Sequence, residues 1–188
     1  METSGTDNTY LYMAIVMSEG EINSIEEIRV DDKVVTFASA FSDGTAVEVG
    51  SGDSNFYKDS ESLIRVEPHF GTDSQSASTL LSTLSSWGTN HRLRGLCYLA
   101  IRFKWNQDAF TGIPKVQAKI KGKKVVSYNS SLVAQTAAFK TNPAWCLLDY
   151  LTNERYGKGI STTEIDLQSF YDASVICETQ VEPYSGAS

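Results

Sequence analysis

Apolar and polar residues alternate with a period of two along most of the first two thirds of the chain, the pattern of β-strands that bury one face. The most apolar of these segments runs from Gly95 to Trp105 and carries apolar residues on both faces. Such a segment is typical of a strand at the centre of a sheet. Further strands are predicted at residues 10–17, 25–30, 33–37, 46–49 and 63–70, and a hairpin is predicted at residues 116–126 around Gly122.

Turn residues separate these strands. Asp31 and Asp32 predict a tight turn between strands 25–30 and 33–37. Residues 42–59 are rich in Ser, Gly and Asp, a composition that predicts a mobile surface loop. Residues 74–86 carry apolar residues at helical intervals and predict a short amphipathic helix.

The last third of the chain has the start and stop signals of helices. Asn142 is a favourable N-cap, and Pro143 fits the first helical position, where its missing N–H costs nothing. Gly157 and Gly159 predict the end of this helix, and a capping-box pattern predicts a second helix that begins at Ser161. The predicted apolar faces are Trp145, Leu147, Leu148, Leu151 and Thr152 on the first helix, and Leu167, Phe170, Tyr171, Ser174 and Cys177 on the second.

The combined patterns predict an α+β fold. Its body is β-rich, with antiparallel sheets or a barrel-like module, and it carries one short helix and a C-terminal helical hairpin. The predicted divisions are the β-rich body at residues 1–128, a connector at 129–141, the helical hairpin at 142–180 and a tail at 181–188.

Charge and hydropathy exclude some classes of protein. The net charge of −7 argues against tight binding of nucleic acid. No run of 18 apolar residues is present, so the sequence predicts no membrane span. The lysines between Lys115 and Lys124 alternate with apolar residues, which favours the solvated face of a strand over a phosphate-binding patch.

The residues that could carry catalysis are few and scattered. His69, His91 and Asp73 could converge in space, but their spacing matches no metal-ligand motif. Cys97 lies in the most apolar strand, where burial would raise its thiol pKa and make it inert, and Cys146 is expected to pack. Three cysteines, an odd number, suit reduced thiols in a core. The sequence therefore predicts a protein that is not an enzyme and has no metal and no cofactor.

Four segments have a distinctive order and spacing: residues 15–22 followed by the hairpin at 25–35, residues 70–75, residues 91–99 together with 112–114 and 121–125, and residues 142–160. In this order they resemble the N-terminal hub region of the tail-tip attachment proteins of lambda-like siphophages, also called J or host-specificity proteins. The last segment is the most specific of the four.

The resemblance implies a trimeric hub at the distal end of a non-contractile phage or prophage tail, assembled in the cytoplasm of the bacterial host. The implied role is structural, in tail assembly, host attachment and genome delivery. The implied partners are other copies of the chain, the distal tail protein, other tail-tip proteins and the tape measure protein. Because chains of this family are far longer, the resemblance also implies a fragment, split-gene or remnant form that is monomeric or weakly associated in isolation.

The most specific segment supplies the predicted interface residues. They are Asn142, Pro143, Trp145, Leu148, Asp149, Leu151, Arg155, Tyr156, Gly157 and Gly159. Trp145, Leu148 and Leu151 are expected to dock the hairpin on the β-rich body, and the polar members to fix the turn or a neighbouring subunit. The tryptophans, the tyrosines and the loop at 42–59 leave an alternative open, a carbohydrate-binding or adhesion module of a virion.

Overall fold

The computed structural model describes residues 1–179 of the chain, and the predicted tail at 181–188 lies outside this range. Its contacts divide the chain into two compact units, Met1–Lys123 and Lys124–Ser188. In chain order the strands are β1 (Glu2–Ser4), β2 (Tyr10–Glu19), β3 (Ile22–Val30), β4 (Lys33–Val34), β5 (Val47–Glu48), β6 (Tyr57–Lys58), β7 (Glu61–Ser62), β8 (Ile64–Phe70), β9 (Leu96–Lys104), β10 (Val116–Val125) and β11 (Ala138–Phe139). The helices are α1 (Pro143–Thr152) and α2 (Leu167–Glu178). The fold is therefore β-rich with two helices, and the predicted fold class is confirmed.

The larger sheet of the first unit is antiparallel, with strand order β1-β2-β9-β8-β5. Strand β9 lies at its centre, as its apolar sequence predicted, and residues 97–101 are completely buried. Strand β2 lies where a strand was predicted at residues 10–17, and it is only partly buried, since the side chain of Val16 is 54% exposed.

A second set of strands is built by β3, which pairs with β4 on one side and with β10 on the other. Asp31 and Asp32 form the tight turn between β3 and β4, and both have positive φ angles (49° and 63°), as a two-residue hairpin loop requires. The hairpin predicted at 116–126 is wrong. Residues 116–123 pair with β3 along one continuous strand, so Gly122 lies within a strand and not in a turn.

A β-bulge explains the burial pattern of β3. Lys119 pairs with Glu27 and Ile120 with Ile25, so Glu26 is the extra residue. The bulge lets Ile25 and Ile28, three positions apart, both point into the core. Glu26 remains outside and forms ion pairs with Lys119 (3.3 Å) and Lys121 (2.9 Å), which lower its carboxyl pKa.

Both faces of the larger sheet are covered. On one face, Leu99 and Ile101 of β9 share a hydrophobic core with Ile28 and Val30 of β3. On the other face, Tyr98 and Ala100 pack with Leu80, Leu81 and the partly buried Trp87. The segment between β8 and β9 therefore acts as a cover for the sheet.

This covering segment differs from its prediction. The amphipathic helix predicted at 74–86 is wrong, because only a 3-10 turn, Leu81–Thr83, is formed there. Of the apolar side chains that suggested a helix, Leu80 and Leu81 are buried and Ala77 and Leu84 are half-buried, but side-chain hydrogen bonds hold much of the backbone. The side chain of Gln75 donates to the carbonyl oxygens of Arg92 (2.9 Å) and Leu96 (3.1 Å) and accepts from the N–H of Gly71 (3.0 Å).

The segment 42–59 contains regular structure and a side chain that packs in the core. It contains β5, the start of the small β6–β7 hairpin, and the completely buried side chain of Phe56. The buried carboxylate of Asp53 accepts hydrogen bonds from the N–H groups of Thr36, Asn55 and Phe56. Its predicted mobility stays a prediction.

The second unit is described over residues 124–179. Its strand pairing consists of Lys124 and Val125 against β11, and the rest is built on α1 and α2. The second helix was predicted to begin at Ser161, but Ser161 caps the 3-10 turn Thr162–Glu164. Helix α2 begins six residues later, where the carboxylate of Asp166 accepts hydrogen bonds from the N–H groups of Gln168 and Ser169.

Candidate functional site

The predicted interface segment forms α1 and the turn that follows it. The side-chain oxygen of Asn142 accepts a hydrogen bond from the N–H of Ala144 (3.0 Å), so the predicted N-cap is confirmed, with Pro143 in the first turn. The Asn142 amide nitrogen also donates to the carbonyl oxygen of Ser174 (2.9 Å) and to Glu178 Oε1 (3.1 Å). Asn142 therefore joins the start of α1 to the end of α2, a role that its place in the sequence did not suggest.

The apolar members of the segment supply the core of the second unit. Trp145 and Leu148 are each 3% exposed and form a cluster with Val125. Their partly buried neighbours are Tyr128, Ile165, Leu167, Phe170 and Tyr171. Leu151 is only half-buried. Trp145 and Leu148 therefore pack from α1 against side chains of α2 and against Val125 at the start of the unit.

The polar members and the glycines shape the turn after α1. The Tyr156 hydroxyl donates to the Asp149 carboxylate, and the N–H groups of Arg155 and Tyr156 donate to Asn153 Oδ1. A Cβ atom on Gly157 would lie 1.8 Å from the carbonyl oxygen of Tyr150, so no side chain fits there. Gly159 has a φ of +64°, which favours glycine. These contacts fix the turn, and whether the residues contact another subunit stays a prediction.

The two helices also carry apolar side chains outside the core. Leu147 and Tyr150 on α1 are 52% and 44% exposed, and Val175 and Ile176 on α2 are 51% and 73% exposed. The expectation that Cys146 packs in the core is wrong, and Cys177 is also exposed. The buried face of α2 includes Ser174 but does not reach Cys177.

A second polar cluster, in the first unit, was missed by the sequence reasoning. Glu67 is 1% exposed, and its carboxylate accepts hydrogen bonds from the Thr79 N–H (2.9 Å), the Thr79 hydroxyl (2.9 Å) and the Leu80 N–H (2.7 Å). The His69 Nε2 atom lies 3.0 Å from the same carboxylate, and the His69 ring stacks on Tyr98 with the ring centroids 4.4 Å apart. Burial alone would raise the pKa of Glu67, but the hydrogen bonds from His69, Leu80 and Thr79 outweigh it and lower the pKa to about 2.

The histidines that could have contributed to an acid–base or metal site differ in burial and in their contacts. His69 is buried against Glu67, whereas His91 is exposed and its Nδ1 atom lies 2.8 Å from the Gly88 nitrogen. Among residues 1–179, no group of three or more His, Cys, Asp or Glu side chains is placed to hold a metal ion. Burial raises the pKa of the Cys97 thiol to about 11, which confirms the expectation for this residue.

The three tryptophans differ in their exposure. Trp145 is in the core of the second unit, and Trp87 is half-buried with its ring 5.2 Å from that of His91. Trp105 is 54% exposed and lines an apolar cavity of about 360 Å³ with Ile113 and Pro114. Single exposed aromatic residues of this kind are common on protein surfaces.

The chain is similar to a phage baseplate hub protein. It is 25% identical to the baseplate hub protein pb3 of Escherichia phage T5, over 222 aligned positions that include 97% of this chain and 23% of that protein. The chain thus spans about a quarter of the length of the curated relative it matches. No family model matches the chain.

The similarity supports a phage tail or baseplate protein, and not the narrower lambda-like host-specificity family that the motifs resemble. Because it includes nearly the whole chain, it involves both units. Helices α1 and α2 have 10 and 12 residues, and within residues 1–179 neither has the length and apolar character needed to cross a membrane.

Proposed function

We propose that this chain is a structural component of a phage tail tip or baseplate hub. The observation that carries the proposal is the similarity to a baseplate hub protein over 97% of the chain. The order of the four sequence segments supports the further proposal that the chain corresponds to the N-terminal hub region of lambda-like tail-tip proteins. Its work would be tail assembly, followed by host attachment and genome delivery.

The proposed partners are other copies of the chain in a trimeric hub, the distal tail protein, other tail-tip proteins and the tape measure protein. The exposed apolar residues of α1 and α2 support a role in protein contacts, since association buries such side chains. The predicted contact residues beside them are Asp149, Arg155 and Tyr156, whose contacts within the chain shape the turn.

We also propose that the chain is not an enzyme. The Glu67 carboxylate, which has the strongly perturbed pKa expected of a catalytic group, already accepts hydrogen bonds from His69, Thr79 and Leu80. The bonds from Thr79 and Leu80 fix the covering segment to the larger sheet. A structural role for the carboxylate therefore accounts for the shift without a substrate.

Cryo-electron microscopy of the parent virion tests the hub proposal. Density for this polypeptide is expected at the distal end of the tail, in a ring of three copies. Density confined to the capsid, or absence of the polypeptide from purified virions, would contradict the proposal. Nanogold attached to an exposed cysteine would locate the chain independently of the fit to density.

Light scattering of the isolated chain tests the oligomeric part of the proposal. Because the chain matches about a quarter of a hub protein, we expect a monomer or a weak oligomer at micromolar concentration. A tight trimer would show instead that these 188 residues contain the main subunit contact.

The carbohydrate-binding alternative rests on Trp105, the tryptophan with the greatest exposure. A glycan array, followed by titration with cell-wall sugars of the host, separates this alternative from the hub proposal. Saturable binding that is lost in Trp105→Ala would favour the alternative. Absence of binding at millimolar sugar would remove it.

A further inference from the structure

A cleft with a volume of about 540 Å³ opens on the first unit, and its lining residues all belong to the covering segment between β8 and β9. Two arginines, Arg92 and Arg94, contribute its positive charge. The rest of its lining is dominated by small hydroxyl residues, among them Ser74, Ser76 and Thr83. Cavities of this size accommodate small organic ligands.

The two arginines of the cleft differ from the other arginines of the first unit. Arg29 forms an ion pair with Glu27, and Arg65 and Arg102 both form one with Glu48. No ion pair among residues 1–179 involves Arg92 or Arg94. In a chain with a net charge of −7, two arginines that line one cleft and form no ion pair within the described residues make a local positive site.

The backbone that carries these arginines is held in place by a buried side chain. The buried side-chain amide nitrogen of Gln75 has two hydrogens to share among the carbonyl oxygens of Arg92, Leu93 and Leu96, all of which lie within hydrogen-bond distance. Leu93, between the arginines, has a φ of +47°, a conformation that side-chain-bearing residues adopt only when their surroundings impose it. The opposite wall is fixed by the bond from the Thr79 N–H to Glu67. Both walls are therefore ordered without a ligand.

We propose that this cleft binds the phosphate or sulfate group of a ligand. The planar forks of Arg92 and Arg94 match the oxygens of such a group and would lose their mutual repulsion when it binds. The Arg92 Nε atom donates to the Thr89 carbonyl oxygen (3.1 Å), which orients this guanidinium. The hydroxyls of Thr79, Ser82 and Thr83 already donate to Glu67, Ser78 and Leu80, so further donors would come from Ser74, Ser76 and Thr89. A tetrahedral oxyanion has more acceptor oxygens for such donors than a carboxylate has. The proposal does not depend on the hub function.

The test is an NMR titration of the intact chain with inorganic phosphate and with sulfate, at constant ionic strength maintained with sodium chloride. Saturable shifts are expected at residues 74–94, with a dissociation constant on the order of 1 mM, since a single small anion makes few contacts. Arg92→Gln/Arg94→Gln should weaken binding about tenfold or more, because it removes the charge-assisted hydrogen bonds. Arg92→Lys/Arg94→Lys should fall between this variant and the wild type, because it keeps the charge and loses the forks.

The matched control is Arg29→Gln/Arg65→Gln, which removes the same charge from arginines outside the cleft. It should leave the affinity within about twofold, since screening weakens distant surface charges. Equal weakening in the control, unchanged binding in Arg92→Gln/Arg94→Gln, or no saturation with either anion would overturn the proposal. The amide spectrum of each variant shows directly whether it is folded.

A second arm compares inorganic phosphate with a hexose phosphate and with the neutral hexose. Tighter binding of the hexose phosphate than of inorganic phosphate would support the proposal and indicate that the sugar contacts the hydroxyl residues. Equal affinity would also support the proposal and indicate that only the anion is contacted. Binding of the neutral hexose as tight as that of the hexose phosphate would contradict a site organised around the arginines.

Discussion

The two units of the chain bury their apolar residues in different ways. In the first unit, β9 lies in the middle of a sheet that is covered on both faces, and the core extends over residues from many strands. In the second unit, the buried apolar cluster consists of Val125, Trp145 and Leu148 with a ring of half-buried neighbours. Large apolar side chains such as Leu147 and Ile176 remain exposed on its helices.

The two units should therefore respond differently to substitution. Strand pairing distributes the stability of the first unit over many distant residues, whereas a few anchoring side chains hold the second unit together. We expect single substitutions at these anchors to unfold the second unit while the first remains folded. The following four changes test this contrast, from the largest expected effect to the smallest.

Trp145→Ala should have the largest effect. It removes the biggest side chain of a small core and should destabilise the second unit by about 3–5 kcal/mol. Hydrogen exchange followed by mass spectrometry should show loss of protection in α1 and α2 and retained protection in β9. Leu147→Ala, on the same helix but 52% exposed, should change stability by no more than about 0.5 kcal/mol. Loss of protection in both units would show that they do not unfold separately.

Acid should weaken the first unit through Glu67. Its pKa is about 2 in the folded chain against an ordinary value of 4.5, so its stabilising contribution is complete above pH 4.5 and is lost as the pH falls towards 2. The loss should be about 3 kcal/mol, measured by urea unfolding monitored in the first unit.

Glu67→Gln should remove this component of the pH dependence. The difference in free energy of unfolding between this variant and the wild type should therefore shrink as the pH falls. Glu27→Gln is the control, because the Glu27–Arg29 pair is partly exposed and should contribute no more than about 1 kcal/mol. If the difference between Glu67→Gln and the wild type were constant from neutral pH down to pH 2, the assignment to Glu67 would be wrong.

Gly157→Ala should destabilise the second unit by about 1–3 kcal/mol, because the added Cβ atom would overlap the carbonyl oxygen of Tyr150 and force the turn to shift. Gly122→Ala is the control, since a Cβ atom there meets nothing within 4 Å. Thermal unfolding of both variants measures the difference. Equal melting temperatures would mean that the turn after α1 adjusts freely.

Asn142→Ala should destabilise the second unit by about 1 kcal/mol through loss of the N-cap. The same substitution also removes the hydrogen bonds to Ser174 and Glu178. Asn142→Asp separates the two contributions, since it keeps an acceptor for the Ala144 N–H and loses the donor to α2. We expect the aspartate variant to be at least as unstable as the alanine variant, because its charge also approaches Glu178. If Asn142→Asp were as stable as the wild type, Asn142 would contribute to stability only as a helix cap.

The regular parts of the fold follow from local sequence patterns. The alternation at 95–105 predicted a central strand, and Asn142 with Pro143 predicted the start of α1. In both cases the element is determined by residues that are close together in the sequence. The prediction of a hairpin around Gly122 failed because glycine was taken as a turn signal, although the alternation from Val116 to Ile120 continues through a strand paired with β3.

The parts that the sequence did not predict depend on distant contacts. Glu67 and His69 occupy the polar positions of an alternating strand, which normally face solvent. They are buried because the covering segment lies over that face, and its 3-10 turn and side-chain hydrogen bonds have no simple periodicity. Arg92 and Arg94 likewise form a cleft mainly with residues about ten to twenty positions earlier in the chain.

The three cysteines offer an experimental opportunity. Cys146 and Cys177 are exposed, one on each helix of the second unit, whereas Cys97 is buried with a thiol pKa raised to about 11. The wild-type chain therefore provides a natural pair of attachment points for spin labels or fluorophores, while its remaining thiol reacts slowly. Distances between the two labels would report on the helical hairpin, and on any partner that docks against it, without a single engineered substitution.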